Sequence, residues 1–275
     1  MGRSARFEEL RPSIVEAGAL PALVGQFKLT LLPRSPSWPQ LVTACSTALA
    51  AIRLLVLREA VHARSCVAAG TVPPLLAALS SASGTEPAAE AAQLMTNLLV
   101  ATKDRALAEE AARDPSSIAA ILGQGGDSSL RAGALLHAIF VMLPARRGAF
   151  VAAGVVPLLV SGLEGGGEEV QVEQLLMTLE HLYKGSSVLM DLVLDAGALK
   201  PILACLRRSN SSGAIRSCAV STLAAMLPAA SKAHREQAMA AGAARLLADQ
   251  FSHGLARPAF DGLQVSREEG LAQLH

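Results

Sequence analysis

The segment Val151-Ala152-Ala153-Gly154-Val155-Val156-Pro157-Leu158-Leu159-Val160 decides how this chain folds, because near-copies of it recur along the sequence. They run from Val15 to Val24, Val67 to Leu76, Leu194 to Leu203 and Met239 to Ala248, each around an Ala-Gly pair. The anchor glycines Gly18, Gly70, Gly154, Gly197 and Gly242 are separated by 52, 84, 43 and 45 residues. A period of this size marks a stacked repeat, and the 84-residue gap holds two periods. The hidden copy is Glu110-Ala111-Ala112-Arg113-Asp114-Pro115 followed by Ser117 to Leu122, in which Arg113 and Asp114 replace the glycine turn while the apolar spacing survives. The first gap is long because Pro33, Pro36 and Pro39 crowd one stretch, which reads as a loop insertion over 31–39.

Outward from the anchor, each unit parses into three helices. A short helix leads into the Ala-Gly, as over Arg147 to Ala153, and the glycine supplies a turn that other residues adopt only under strain. Pro21, Pro73 and Pro157 stand where a second helix begins, a place that does not need the missing N–H. Its apolar pattern is Leu75, Leu76, Leu79 in one unit and Leu158, Leu159, Leu163 in another. Polar or glycine-rich loops follow at Ser80 to Gly84, Gly123 to Ser129, Gly165 to Gly167 and Ser209 to Gly213. A longer third helix is predicted over Glu90 to Val100, Leu130 to Leu143, Val170 to Leu182 and Ala214 to Leu227, with Pro144 and Pro228 at two matching ends. The expected division is 7–59, 60–103, 104–145, 146–187 and 188–231, with a degenerate cap over 232–275, all in one domain.

Composition agrees with an all-α chain. Of the 275 residues 51% are hydrophobic and 17% charged, with aromatics at 3%, so the interior is filled by small aliphatic helix formers. Disorder is excluded on that ground. The formal net charge of +1 is too small to hold a polyphosphate by bulk electrostatics, so no nucleic-acid partner is expected. The apolar stretches are broken by Arg53, by His137, and by Gly154 with Pro157, and none offers the run a membrane span requires; no membrane insertion is expected. No targeting segment is visible in MGRSARFEEL, and the expected compartment is the cytoplasm, with the nucleus as the alternative. Cys45, Cys66, Cys205 and Cys218 form no CxxC pair and read as reduced core thiols. A redox or metal role for Cys205 and Cys218 is the weaker alternative.

These recurring Ala-Gly turns and Pro-Leu-Leu helices resemble the armadillo-repeat family, whose units of about forty-two residues stack into a right-handed αα superhelix, with HEAT repeats as a close cousin. The resemblance covers nearly the whole chain and implies an armadillo-type solenoid of about five repeats plus the degenerate cap. It further implies a protein partner held in a concave groove lined by third helices, where the family's peptide binders set Trp and Asn four residues apart. Aligned by distance to the next anchor, the Asn positions are Leu54, Asn97, Ala138, His181 and Ala225, and the Trp positions Ala50, Gln93, Ala134, Met177 and Ser221. Only Asn97 matches, and the single Trp38 lies in the insertion. The candidate protein-binding residues are therefore Gln93, Asn97, Met177, His181 and Ser221, a polar patch that suits a helix or a folded surface better than a stretched basic peptide. His181 with Tyr183 and Lys184 reads as a surface cluster.

Charge is uneven: Glu164, Glu168, Glu169, Glu173 and Glu180 make one unit acidic, and Arg207, Arg208 and Arg216 make the next basic. Glu168 and Glu169 are expected to cap a helix start, and the Arg207–Arg208 pair to solvate a helix end. The array begins at the short helix Phe7 to Val15, so Leu20 and Leu23 need cover from that helix, from a preceding segment or from another molecule. At the far end Ala243 to Phe251 resembles a second helix, and the charged Arg267 to Gly270 suits a cap. No metal-ligand spacing, nucleophile elbow, phosphate loop or dinucleotide fingerprint is present. The expectation is a non-enzymatic scaffold or adaptor that needs no catalytic residue, metal or cofactor. The alternatives that the resemblance offers are a nucleotide exchange factor for an Hsp70-type ATPase and the substrate-binding arm of a ubiquitin ligase.

Overall fold

All five anchor glycines sit in the left-handed region, with φ of 82° at Gly18, 76° at Gly70, 81° at Gly154, 85° at Gly197 and 82° at Gly242. The same backbone bond closes four of these turns, from Gly18 N to Val15 O, Gly70 N to Val67 O, Gly197 N to Leu194 O and Gly242 N to Met239 O, at 2.9–3.0 Å. A side chain at this φ pays strain that glycine avoids, which is why the phrase repeats its glycine. The computed structural model of the chain describes residues 3–30, 38–57, 59–81, 86–207 and 212–252. Expectations for 31–37, 82–85, 208–211 and the tail beyond 252, Arg208 and Arg267 to Gly270 among them, lie outside the described residues.

The described residues form α-helices and two 3₁₀ turns, and among them there is no strand. The first triplet is α1 (Arg3–Glu16), α2 (Ala19–Thr30) and α3 (Trp38–Val56); the second is α4 (Ala60–Ala68), α5 (Val72–Ser81) and α6 (Glu86–Thr102). Then come α7 (Arg105–Ala111), α8 (Pro115–Leu122) and α9 (Gly126–Met142), followed by α10 (Arg147–Ala152), α11 (Val155–Glu164) and α12 (Glu169–Tyr183). The described residues continue with α13 (Ser187–Asp195), α14 (Leu199–Arg207) and α15 (Gly213–Met226), and then α16 (Lys232–Ala240) and α17 (Ala243–Ser252). The 3₁₀ turns Pro144–Arg146 and Leu227–Ala229 follow α9 and α15, where the prolines predicted a stop. Among the described residues no single helix is long and apolar enough to cross a membrane.

Three helix starts lie earlier in the sequence than the pattern predicts. The loop insertion ends before Trp38, because Pro39 fits the first turn of α3 without costing a hydrogen bond. Pro87 does the same in α6, which begins at Glu86 rather than Glu90. Helix α9 begins at Gly126, drawing Asp127 into its first turn, where the helix dipole favours a carboxylate. In the hidden repeat no glycine is needed: Asp114 takes an extended-side φ of −120° and caps α8 from Ser117 N, with Pro115 at the first helical position.

The chain forms two compact units, 1–153 and 154–275. In the first, the third helices α3, α6 and α9 pack side by side, with α5 against α6 and α8 against α9. Leu94, Leu98, Leu99, Leu135, Ile139 and Phe140 are sealed between them. Leu20 is buried, and α1 packs on α2. In the second unit α12 lies against α15, α11 against α12, and α14 against α15 and α17. Leu159, Leu175, Leu179, Leu182, Val193 and Leu223 form its interior. Cations also tie successive turns: Lys28 Nζ donates to Ala69 O at 3.3 Å and Arg207 Nη2 to Ala241 O at 2.6 Å, each reaching the carbonyl just before an anchor glycine. Arg207 therefore binds a helix C-terminus, where the dipole favours a cation, rather than merely meeting solvent.

Candidate functional site

The candidate residues lie on third helices, in two groups that belong to different units. In the first unit, helical spacing puts Glu90, Gln93, Asn97 and Val100 on one face of α6. Gln93 Nε2 donates to Asn97 Oδ1 at 3.3 Å, so both amides lie along that face, half-buried. Asn97 Nδ2 is shielded from water, and among the described residues it has no acceptor. Turning that amide outward would break no bond made by its N–H donors. Neighbouring helices contribute Ala50 and Leu54 from α3, and Ala134 and Val141 from α9; Leu54, Val100 and Val141 are exposed. Ala138, aligned with Asn97 by sequence, is buried.

Sequence reasoning missed the charges that fix this face. Glu90 is buried, yet its carboxylate receives Arg131 Nη1 at 2.8 Å from α9 and lies 3.4 Å from Arg53 Nε of α3. One carboxylate thus ties the three third helices of the unit. The signal was absent from the sequence because the partners stand about forty residues away, and the helix register that brings them together is set by packing.

In the second unit one stripe of α12 runs through exposed Val170 and Met177 and half-buried Glu173 and His181 to exposed Lys184 at its C-terminal end. His181 Nδ1 faces Met177 O at 3.0 Å, and since a carbonyl only accepts, this nitrogen carries the proton. Ser221 of α15 donates through Oγ to Glu180 Oε2 at 3.3 Å, which joins the two helices beside His181. Tyr183 does not share the surface with His181 and Lys184: it is buried, and its hydroxyl donates to Thr222 O of α15 at 2.9 Å. Burial first, then the Glu180 charge, pushes that hydroxyl far above the ordinary phenol range. Two residues from His181 along a helix is the opposite side, which is why the predicted cluster divides. Glu168 precedes α12 without a side-chain cap bond, and Glu169 Oε1 instead accepts from Ser212 N at the start of α15.

Cysteine chemistry follows from the same surroundings. Cys45, Cys66 and Cys205 are buried, and Cys218 is half-buried. Burial raises the Cys66 thiol; burial, then the charges of Glu173 and Glu180, raise Cys218. The thiolate is the nucleophile, so a raised thiol is a slow one. At about pH 8 the native protein is expected to take up maleimide at Cys218 at least tenfold more slowly than a free thiol, and all four cysteines are expected to react at the free-thiol rate in denaturant, as mass spectrometry would count. Among the described residues no group of His, Cys, Asp and Glu is arranged to hold a metal.

A cavity of about 260 Å³ opens in the first unit between α5 and the α7–α8 turn, with Leu76, Leu79, Ala111 and Ile118 below and the Glu110–Arg113 pair at its rim. It lies where Arg113 and Asp114 replace the anchor glycine. Asp114 is held below the ordinary carboxylate range, chiefly by the Ser117 hydroxyl 2.6 Å away.

No family model matches the chain, and no curated protein does. Among solved structures, a designed armadillo repeat protein is similar with 20% identity and a TM-score of 0.61 over 91% of this chain and 94% of its own. A second one, in complex with the peptide (KR)4, gives 19% identity and 0.61 over 92% and 95%. An engineered protein gives 19% and 0.69 over 88% and 95%.

Proposed function

From an armadillo-type all-α solenoid fold, we propose that the chain is a non-enzymatic interaction scaffold that holds a protein partner on the exposed faces of its third helices. The observation that carries this reading is Asn97: its amide N–H donors lie on such a face with no acceptor among the described residues. Rotation toward an incoming acceptor on a partner satisfies these donors and gives up in exchange the 3.3 Å bond from Gln93. Exposed Leu54, Val100 and Val141 border it with apolar surface. In the second unit Met177, His181 and Ser221 stand with Glu173 and Glu180, a mixed apolar and acidic patch that suits a partner presenting apolar side chains beside basic ones. The solved neighbour that holds a peptide makes polypeptide binding compatible with this fold. The half-buried polar spacing, with no Trp ladder, favours a helix or a folded surface over a stretched chain.

The test is affinity capture from native lysate with the intact chain beside a variant carrying Gln93→Ala, Asn97→Ala and His181→Ala, both checked for equal helicity by circular dichroism. Proteins captured by the intact chain are expected to be lost from the variant. Retention of the same proteins by a folded variant would overturn the assignment of these faces.

A further inference from the structure

Between α13 and α16 a histidine lies between two carboxylates. His234 of α16 places Nδ1 3.0 Å from Asp191 Oδ1 and Nε2 3.0 Å from Asp195 Oδ1, both on α13. The imidazole is mostly covered, with 14% of its side-chain surface exposed, while the carboxylates reach solvent. Ser231 caps α16: its Oγ accepts from His234 N at 3.3 Å and lies 2.9 Å from His234 Nδ1, and its own N donates to Asp191 Oδ1 at 3.3 Å. Serine, histidine and aspartate are the residue types of a nucleophilic relay, but this serine is engaged as a cap and shares its ring nitrogen with Asp191. The geometry is that of a joint.

A neutral imidazole has one donor and one acceptor nitrogen, whereas the imidazolium has two donors. Both ring nitrogens here face carboxylate oxygens, which only accept. We propose that His234 is a proton-operated clamp that fastens α16, the first helix of the Gly242 repeat, to α13, the first helix of the repeat before it. With the ring doubly protonated both contacts are hydrogen-bonded ion pairs. With one proton gone, a lone pair faces a carboxylate at 3.0 Å and that contact opens. The joint is therefore tighter when the ring carries both protons and looser when it carries one.

The repeat itself supplies the comparison. His234 stands eight residues before its anchor Gly242, and Arg146 stands eight before Gly154. Arg146 makes the corresponding reach to the preceding first helix, with Nη2 2.8 Å and Nε 2.9 Å from Glu109 Oε2 of α7. A guanidinium stays charged at any physiological pH, so that joint is fixed, whereas histidine makes the later one titratable. Other charged groups lie on α16 and on the elements packed against it. On α16 Lys232 pairs with Glu236 at 3.8 Å, and Arg235 Nη1 donates to Ala230 O at 2.9 Å. Packed against α16 are α17, which carries Arg245 and Asp249, and the Leu227–Ala229 turn, which carries no charge.

Hydrogen exchange of the full chain, read by mass spectrometry on peptides covering 232–240, tests this directly. Protection is expressed relative to the unfolded chain at the same pH. It is expected to be about two- to fivefold greater at about pH 5.5 than at about pH 8. His234→Arg is expected to keep high protection at both values and His234→Gln low protection at both. Asp195→Asn, which removes one of the two ion pairs with little change of shape, is expected to shrink the pH ratio and serves if His234→Gln does not fold. Equal protection at the two pH values in the unaltered chain, or a pH ratio that persists in folded His234→Gln, would overturn the clamp.

Discussion

Replacing Phe140 by Ala is expected to lower the stability of the first unit by about 3–5 kcal/mol. Phe140 is fully buried on α9, and its ring meets that of Phe150 on α10 edge to face, with centroids 5.4 Å apart at 81°. The truncation removes the transfer energy of a large ring, leaves a cavity in a close-packed interior, and takes away an aromatic pair worth about 0.5–1.5 kcal/mol beyond its area. Arg147 Nη2 donates to the backbone Phe140 O at 3.2 Å, a bond whose acceptor the truncation leaves in place. In a urea titration followed by circular dichroism, the midpoint should fall with little change in slope. Phe140→Leu, which keeps most of the volume, should cost about 1.5 kcal/mol or less. A loss below about 1 kcal/mol for Phe140→Ala would show that the site collapses freely and that the core around α9 is not as close-packed as described.

The second large effect is Leu159→Ala in the second unit, expected to cost about 2–5 kcal/mol. Leu159 is fully buried on α11, which packs on α12, α13 and α14. Approach is close on this helix: a Cβ added at Gly162 would stand 2.8 Å from Leu175 Cδ1 of α12. In a stacked array stability is a sum over nearest neighbours, so the lost contact weakens more than its own helix. Hydrogen exchange should therefore quicken in α12 to α14 as well as in α11. Val188→Ala on α13, at a side chain 69% exposed, is the control and should change stability by no more than about 0.5 kcal/mol. Equal effects from the two substitutions would contradict the buried position of α11.

The fold was legible in the sequence because its decisive feature is local. A left-handed turn needs glycine, which recurs at every anchor from Gly18 to Gly242, and the next helix tolerates proline in its first turn, where one follows each anchor but Gly242. Even the repeat without glycine kept its apolar spacing, and Asp114 with Pro115 supplied the helix start by another device. Helix starts were placed too late at α3, α6 and α9 because a proline or a polar loop residue looks like a break until first-turn geometry absorbs it. The candidate face was only partly legible. Helical spacing assigned Gln93 and Asn97 to one side of α6, yet it gave no hint of Glu90 bound by Arg53 and Arg131. It also grouped Tyr183 with His181, although only packing decides which side of α12 is covered. His234 was invisible for the same reason: its partners Asp191 and Asp195 lie about forty residues earlier, and a lone histidine in a charged helix carries no pattern.

The proposed function places a protein partner on the third-helix faces. Site-specific photo-crosslinking tests it most directly, with a benzophenone amino acid placed singly at Gln93 and Met177 on third helices, and at Val61 and Val188 on first helices. Val61 and Val188 are 67% and 69% exposed, so they are at least as available for chance collision. After irradiation in native lysate, discrete adducts to a common protein are expected from Gln93, Met177 or both, and none to that protein from Val61 or Val188. Adducts that form from the first-helix positions while both third-helix positions stay unlinked would contradict this placement.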